Sequence, residues 1–531
     1  MPMTSERPNK TVFRSRAGRV LTGIFLATLA FALFLIVLAH HAGPLLRARV
    51  VQTLSGHFRA PVELGDLQVS IYQGLVVSGK KLMIYGQSDP NIHAPGIQPL
   101  ISIDEFRFRT SVPNLLRSPM HIGTVFIKGL QLNIPPKRKG EQHSALTSDV
   151  KKISIAVDRF HAETATLVIN TDRPDKHPLE FEIQNLWMKD IGPGQPLSFT
   201  ATLINPKPVG DIDSKGEFGP IYPEDPRQTP VRGDYVFTHA DLGTIAGIGG
   251  TLSSTGRYAG TLERIVVDGQ TDTPDFRLNI SGAPVPLKTE FHAIVDGTNG
   301  NTYLEPVEAT ILNTAIKATG FVVRSAMPPG HHIRLDVTID NGKINDLLLL
   351  AVRTRPPVMS GSLGLRTKLD IVPGQNDIAD RLQLKGKFQV MGAHFSNEKI
   401  QSKIDSLSMR SQGKPKLATD NIPDNVKAQM SGNFVLKNSV LTSPDIVFTL
   451  PGTKVNLAGT FSLDGNQFDF RGHARFDAKL SQMVGGWKSV FLKPVDPFFS
   501  KRGAGTELPV RIAGTKSEPH FGLDFGGPKS Q

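Results

Sequence analysis

The stretch KVNLAGTFSLDGNQFDFRGHARF, Lys454 to Phe476, alternates along almost its whole length. Val455, Leu457, Gly459, Phe461 and Leu463 share one parity. Past Asp464-Gly465-Asn466, Phe468, Phe470, Gly472, Ala474 and Phe476 share one again, while Asn456, Thr460, Ser462, Asp469, Arg471 and Arg475 lie opposite. Side chains two apart on a strand point the same way, so the pattern predicts two antiparallel strands with one apolar face. Helical sequence is scarce, so what covers that face is an open question.

Working outward, the same alternation recurs. VELGDLQVSI and GLVVSGKKLMIY place Leu67, Val69 and Ile71, then Leu75 and Val77, then Leu82 and Ile84 on common faces. ISIDEFRFR changes parity between Ile103 and Phe106, which predicts a bulge near Asp104-Glu105. TVFIKGLQLNI, KKISIAVDRF, ATLVIN and LEFEIQNLWM continue the series. Pro135 to Val150 is polar and without period, and reads as a loop, as do Asn205 to Asp211 and the Pro-rich Pro220 to Pro230.

A cadence of Gly-x-aromatic runs through the chain at Gly216/Phe218, Gly233/Tyr235, Gly256/Tyr258, Gly386/Phe388, Gly432/Phe434 and Gly459/Phe461. It sets a small residue beside a ring on one face, and repeated glycine bends curl a sheet. Tyr303 to Val323 resembles Val440 to Leu463: in each, a Pro precedes, by fourteen or fifteen residues, a Gly that opens an apolar strand. Helical spacing is confined to Gly43–Phe58, INDLLLLAV, Glu398 to Gln412 and a Gly-interrupted run from Ala478 to Phe491. These helices cap or cover part of a groove, or pack as ordinary core.

The chain has 531 residues, enough for one to three domains. Gly (50) and Pro (39) are frequent but not periodic, which points to a turn-rich fold. The absence of cysteine excludes disulfides and thiolate metal sites. The net charge of +12 suits an anionic head-group surface or nucleic acid, or is simply a basic surface. Val20 to Ala39 is twenty uncharged residues, long enough for a transmembrane helix. Arg7, Lys10, Arg14, Arg16 and Arg19 precede it and predict a cytoplasmic N-terminus. A cleaved signal peptide is the rival, but VLAHHAG is a poor cleavage site. With an anchor, everything after about residue 42 is exported, and nucleic acid is not an expected partner.

Catalytic motifs fail on context. GLVVSGKK, Gly74 to Lys81, matches G-x-x-x-x-G-K, but Lys81 replaces the Ser or Thr that would reach magnesium, and strand-like sequence follows. SQGK, Ser411 to Lys414, matches S-x-x-K, yet Gly413 and Pro415 break the helix it needs. His40-His41 and His331-His332 lack metal-ligand spacing, and no carboxylate pair stands out. The expectation is a non-enzyme with no catalytic residues, no metal and no cofactor.

Three C-terminal stretches carry a resemblance: RLQLKGKFQVMGAHFSNEKIQSKIDSLSMRSQGKP, MSGNFVLKNSVLTSPDIVFTLPGTKVNLAGTFSL and GTELPVRIAGTKSEPHFGLDF. The N-terminal APVELGDLQVSIYQGLVVSGKKLMIYG and the central TDTPDFRLNISGAPVPLKTEFHAIVDGTNGNTYLEPVEA add to it. Together they look like the AsmA-like family, to which TamB is related, over some 60% of the chain; residues 130 to 215 share only its general texture. The resemblance implies a bacterial inner-membrane protein, single-pass, with its C-terminal domain in the periplasm. It implies a mainly β fold, an elongated, curled antiparallel sheet forming a taco-like groove, with a transmembrane helix and a few short helices. Phospholipids would pass along the groove between inner and outer membranes, and an outer-membrane or periplasmic protein is a further partner it leaves open. The family offers no catalytic residues.

On this reading the organisation is a basic cytoplasmic arm (1–19), a transmembrane helix (20–39), an N-terminal β-rich region (43–225) and a C-terminal one (226–531). Some 25 strands at about 4.8 Å give a sheet on the order of 120 Å long. The groove candidates are Val455, Leu457, Phe461, Leu463, Phe468, Phe470 and Phe476, with Phe434 and Phe388. Phe (29) far outnumbers Tyr (6) and Trp (2), and phenylalanine brings no hydroxyl that needs a buried partner. A non-enzymatic scaffold for outer-membrane protein assembly is the alternative, distinguished by polar interruptions of the apolar face. That face reads as continuous from Gly256 to Phe476. An envelope hydrolase is a third reading without an identifiable site.

Overall fold

The structure, a computed structural model, describes residues between 47 and 524 apart from interior stretches, the longest being 86–97, 135–154, 170–178 and 416–425. The expected transmembrane helix, Leu463 with its turn, and the Pro135–Val150 loop lie outside the described residues. The chain divides into two compact units, one up to Pro193 and one from Gly194. The Pro-rich segment at 220–230 falls inside the second, between two paired strands.

Unit 1 holds β1 (Val62–Leu64), β2 (Leu67–Ser70), β3 (Leu75–Ile84), β4 (Ile101–Thr110), β5 (Met120–Ile134), β6 (Ile155–Ile169) and β7 (Leu179–Ile191). β1 and β2 lie end to end along β3, then β3, β4 and β5 pair antiparallel. β5 and β6 pair parallel, and β6 pairs antiparallel with β7. This corrects the uniformly antiparallel expectation: the sheet is mixed. A parallel pair needs a crossover of a dozen or more residues, and residues 135–154 supply that length.

The parity change on β4 is present. Leu82 faces Ile103 and Lys80 faces Glu105, leaving Lys81 and Asp104 out of the register. Irregular positions continue across the sheet at Lys81 (φ 54°), Gly129 (φ 64°) and Thr164 (φ 52°). Consequently Leu130 and Ile127, and Ala165 and Ala162, stand three apart in sequence and share one core with Ile103 and Phe106. LVVSGKK, Leu75 to Lys81, is part of β3, with Phe106 lying over Gly79.

Unit 2 begins with β8 (Leu197–Pro206), β9 (Val209–Phe218), β10 (Pro230–Asp241), β11 (Ile248–Gly249), β12 (Thr251–Thr261) and β13 (Arg264–Leu278). It continues through β14 (Val285–Val295), β15 (Thr302–Ile311), β16 (Thr314–Ser325), β17 (Gly330–Lys343), β18 (Met359–Ile371) and β19 (Leu382–Phe395). Last come β20 (Ala428–Lys437), β21 (Val440–Leu450), β22 (Thr453–Ser462), β23 (Gln467–Phe476), β24 (Thr506–Thr515) and β25 (Pro519–Leu523). Each pairs antiparallel with its chain neighbour, except that two-residue β11 sits aside on β13 and β10 pairs with β12. Asn205–Asp211, expected to be a loop, is a tight hairpin: Asn205 faces Gly210 and Pro206 faces Val209.

The opening stretch forms β22 and β23, with Val455 opposite Ala474, Leu457 opposite Gly472, Gly459 opposite Phe470 and Phe461 opposite Phe468. The Gly-x-aromatic cadence has a cross-strand meaning. Gly233 faces Tyr258 while Tyr235 faces Gly256, and Gly386 faces Phe434 while Phe388 faces Gly432. Two such motifs on neighbouring strands therefore interlock, each ring set against the other's glycine, where it shields the bare backbone. A Cβ on Gly459 would lie 2.2 Å from the Asp469 carbonyl oxygen and 2.7 Å from Phe470 Cδ1. Gly459→Ala is expected to destabilise by about 1–3 kcal/mol, because backbone must shift to admit it. Thermal unfolding followed by circular dichroism checks this, and an unchanged midpoint would refute the close packing of β23 on Gly459.

The internal repeat is a repeated hairpin, β15–β16 and β21–β22. In both, the first strand slips register at its proline, between Leu304 and Val307 around Pro306, and between Ser443 and Ile446 around Pro444. Proline has no N–H for the ladder, so the irregularity belongs where it stands.

On the outward face, charges pair across strands, as in Arg232–Glu217 (2.6 Å) and Lys368–Asp336 (3.0 Å). Such exposed pairs contribute little each. Asp370 is better enclosed: burial pushes its carboxyl up, but hydrogen bonds from Arg334 and His332 outweigh this and hold it below its ordinary value. A depressed carboxylate stabilises fully above its unfolded value and loses that contribution as pH falls through the folded one. Asp370→Asn should therefore lower the unfolding midpoint at neutral pH by an amount that holds down to the ordinary carboxylate value of 3.8 and closes only as pH falls below it. A gap constant with pH would refute the assignment.

Candidate functional site

The two longest helices described in unit 2, with the short ones between β23 and β24, gather at one end of its strands, while Ile378–Arg381 lies at the other. Ile344–Ala351 brings Ile344, Leu347 and Leu348 onto a core of Ile339, Met359, Leu363, Val390, Ala393, Ala428 and Leu450. Glu398–Ser411, capped by the Asn397 side chain accepting from the Lys399 and Ile400 N–H groups, adds Ile404 to that core. Its Leu407, with Met483 of Leu480–Met483, meets Val455, Ala474 and Phe476. Each helix is tied by a carboxylate. Asp346 accepts from Asn313 N and Thr314 Oγ1, Asp405 from Gln401 Nε2 and Val426 N, and Asp496 from Ser481 N and Oγ.

The groove candidates differ in burial. Val455 and Phe476, beneath the helices, are 9% and 5% exposed, and Phe434, toward the opposite end of β20, is buried as well at 8%. Leu457 packs on the Val455 cluster and Phe388 on the Val390 cluster, with the Phe388 and Phe434 ring centroids 6.2 Å apart. Phe461, Phe468 and Phe470 are only half-buried. One apolar face thus runs from a helix-covered end to a partly open one. It extends to the last strand, where Phe521 and Leu523 face Ile512 and Val510 and are 58% and 51% exposed. Nearby, Phe491 and Phe498 on the short helices Lys488–Leu492 and Asp496–Phe499 are 69% and 84% exposed.

A hydroxyl belt, which parity reading missed, interrupts the face between β9 and β14. Ser214 pairs with Tyr258 (2.8 Å), Tyr235 with Ser254 (3.1 Å) and Thr271 with Thr289 (2.6 Å). The signal was present: Ser214, Ser254 and Thr271 hold inward positions in otherwise regular strands. Burial raises the Tyr235 and Tyr258 hydroxyl pKa values, the bonded serines opposing it.

Two distant connections also meet. Ile378 N, between β18 and β19, donates to Ala246 O, between β10 and β11, at 3.4 Å. β12 and β18 are six ladder steps apart, about 29 Å on a flat sheet. Among the described residues, no helix is long and apolar enough to cross a membrane. Compared with protein-family models and with curated proteins, the chain matches none.

Proposed function

We infer that the chain is an AsmA-like, inner-membrane-anchored periplasmic protein that holds phospholipid acyl chains on the apolar face of unit 2 and conducts them along it. The observation that carries this is one continuous apolar face on paired, interior strands, buried beneath helices at Val455, Ala474 and Phe476 and only partly buried at Phe461, Phe468 and Phe470. Acyl chains are the chemistry that such a face lacks. Each buried CH₂ is worth about 0.8 kcal/mol, so a row of weak contacts holds a chain while leaving it free to slide. The Ala246–Ile378 contact supports a sheet curled into a groove, since a flat one would hold those connections far apart. The recurring register slips supply bends for it. The reading assigns no catalytic residue and no cofactor.

The hydroxyl belt favours a second reading, a non-enzymatic scaffold for outer-membrane proteins, because its polar groups already satisfy one another and need no lipid. Native mass spectrometry of the full chain, extracted in mild detergent, separates the two. The expected result is several phospholipids per chain. A folded, lipid-free chain would sink the conducting reading.

A further inference from the structure

Unit 1 carries an aromatic cluster on its polar face, opposite the apolar core. Phe126 on β5, His161 on β6 and Trp187 on β7 stand side by side across the ladder. His161 and Trp187 stack with centroids 3.8 Å apart and planes 10° from parallel, and Phe126 meets His161 edge-on at 5.9 Å. His161 is buried between them at 8% exposure, with Nε2 2.7 Å from Asn185 Oδ1, whereas Phe126 and Trp187 are 47% and 39% exposed. Large exposed rings on a face otherwise given to charges call for an explanation.

Phe126 and His161 border a half-open cleft of about 270 Å³. Lys80, Arg107 and Lys128 line it, and so do Asp66, Glu105 and Glu163. Lys80 and Glu105 are paired at 2.9 Å, while Arg107 and Lys128 have no ion-pair partner among the described residues. The formal charges cancel, so the cleft has no net pull on an ion. What it offers is a flat apolar platform ringed by strong donors and strong acceptors.

We propose that this cleft binds a neutral sugar ring of a glycan. A pyranose presents a flat C–H face that an aromatic ring covers, and a rim of hydroxyls that both donate and accept. Charged side chains of both signs satisfy such a rim, and they make the strongest hydrogen bonds available to it. A phosphate or carboxylate ligand would use the cations but oppose the three carboxylates and leave the platform idle. The volume lies at the small end of ligand sites, which fits one or two rings. The site lies on the face opposite the core of unit 1 and is independent of lipid binding.

The test uses the full chain in a detergent without a sugar head group. Trp487→Phe leaves Trp187 as the sole tryptophan, so its emission reports on the cluster. Chitotriose and maltotriose are the neutral probes and glucuronate the charged one, with calorimetry alongside to detect emission-silent binding. The expected result is saturable binding of a neutral probe, weakened at least tenfold by Phe126→Ala and severalfold by Arg107→Ala. Both positions are exposed, so both variants should fold. No heat and no emission change with either neutral probe would overturn the proposal. So would binding of glucuronate alone, or neutral binding unaffected by Phe126→Ala.

Discussion

Phe461→Asp with Phe468→Asp is expected to strip most bound phospholipid from the chain while leaving its unfolding midpoint within a few degrees of the parent. The two rings face each other across β22 and β23, and neither belongs to the helix-covered cluster of Val455, Ala474 and Phe476. Because both are only partly buried, new carboxylates there can turn toward water, and the fold loses little. An acyl chain crossing them would have to bury a charge or leave the face. Even a few unmet polar groups cost about 3 kcal/mol, roughly a hundredfold in local occupancy. Phe470 is the less informative choice, because its ring also covers Gly459 and its loss would confound stability with binding. The control pair is Asn456→Asp and Thr460→Asp, on the opposite, exposed side of β22. They place the same charge where no lipid is expected. Lipid load, read by mass spectrometry, should collapse in the first pair and persist in the second. A load unchanged in both would remove acyl chains from this face.

Most of the fold was legible because a strand's parity is visible in a single sequence. The β22–β23 hairpin, the parity change at Asp104, and the helices at Ile344 and Glu398 could all be read from local spacing. The parallel β5–β6 pair could not, since strand direction in a ladder is decided by the crossover and leaves no mark on alternation. The Gly-x-aromatic motif was visible within each strand, but its partner was not: which glycine a ring covers depends on register between strands. The candidate site was legible as a face and illegible as a surface. Val455 and Phe461 read identically, yet one lies beneath protein and the other is half open, because Leu407 and Met483 arrive from segments far along the chain. The Phe126–His161–Trp187 cluster was likewise hidden, three unremarkable residues on three strands that only pairing brings together.

The helix-covered end supplies the sharper test of how stability and binding divide. Asp346 is 2% exposed, and its Oδ2 accepts from Asn313 N at 3.0 Å and from Thr314 Oγ1 at 2.9 Å, while Oδ1 accepts from Asn345 Nδ2 at 2.9 Å. Thr314 is itself fully buried and accepts from Lys343 N, so one carboxylate fastens the start of the helix Ile344–Ala351 to the β15–β16 turn. Asp346→Ala removes the acceptor of the Asn313 N–H and the shorter-bonded acceptor of the buried Thr314 hydroxyl, at about 1–3 kcal/mol. The unfolding midpoint should fall by several degrees, and Asp346→Asn, which keeps one acceptor, should fall less. Lipid load is the discriminating readout. If the helix is a cover over an apolar face that lipid can also occupy, loosening it exposes Ile339, Met359 and Leu363, and the load holds or rises as the midpoint falls. If load falls in step with stability, the helix-covered end is the core on which the open end depends, and the two ends cannot be assigned separate roles.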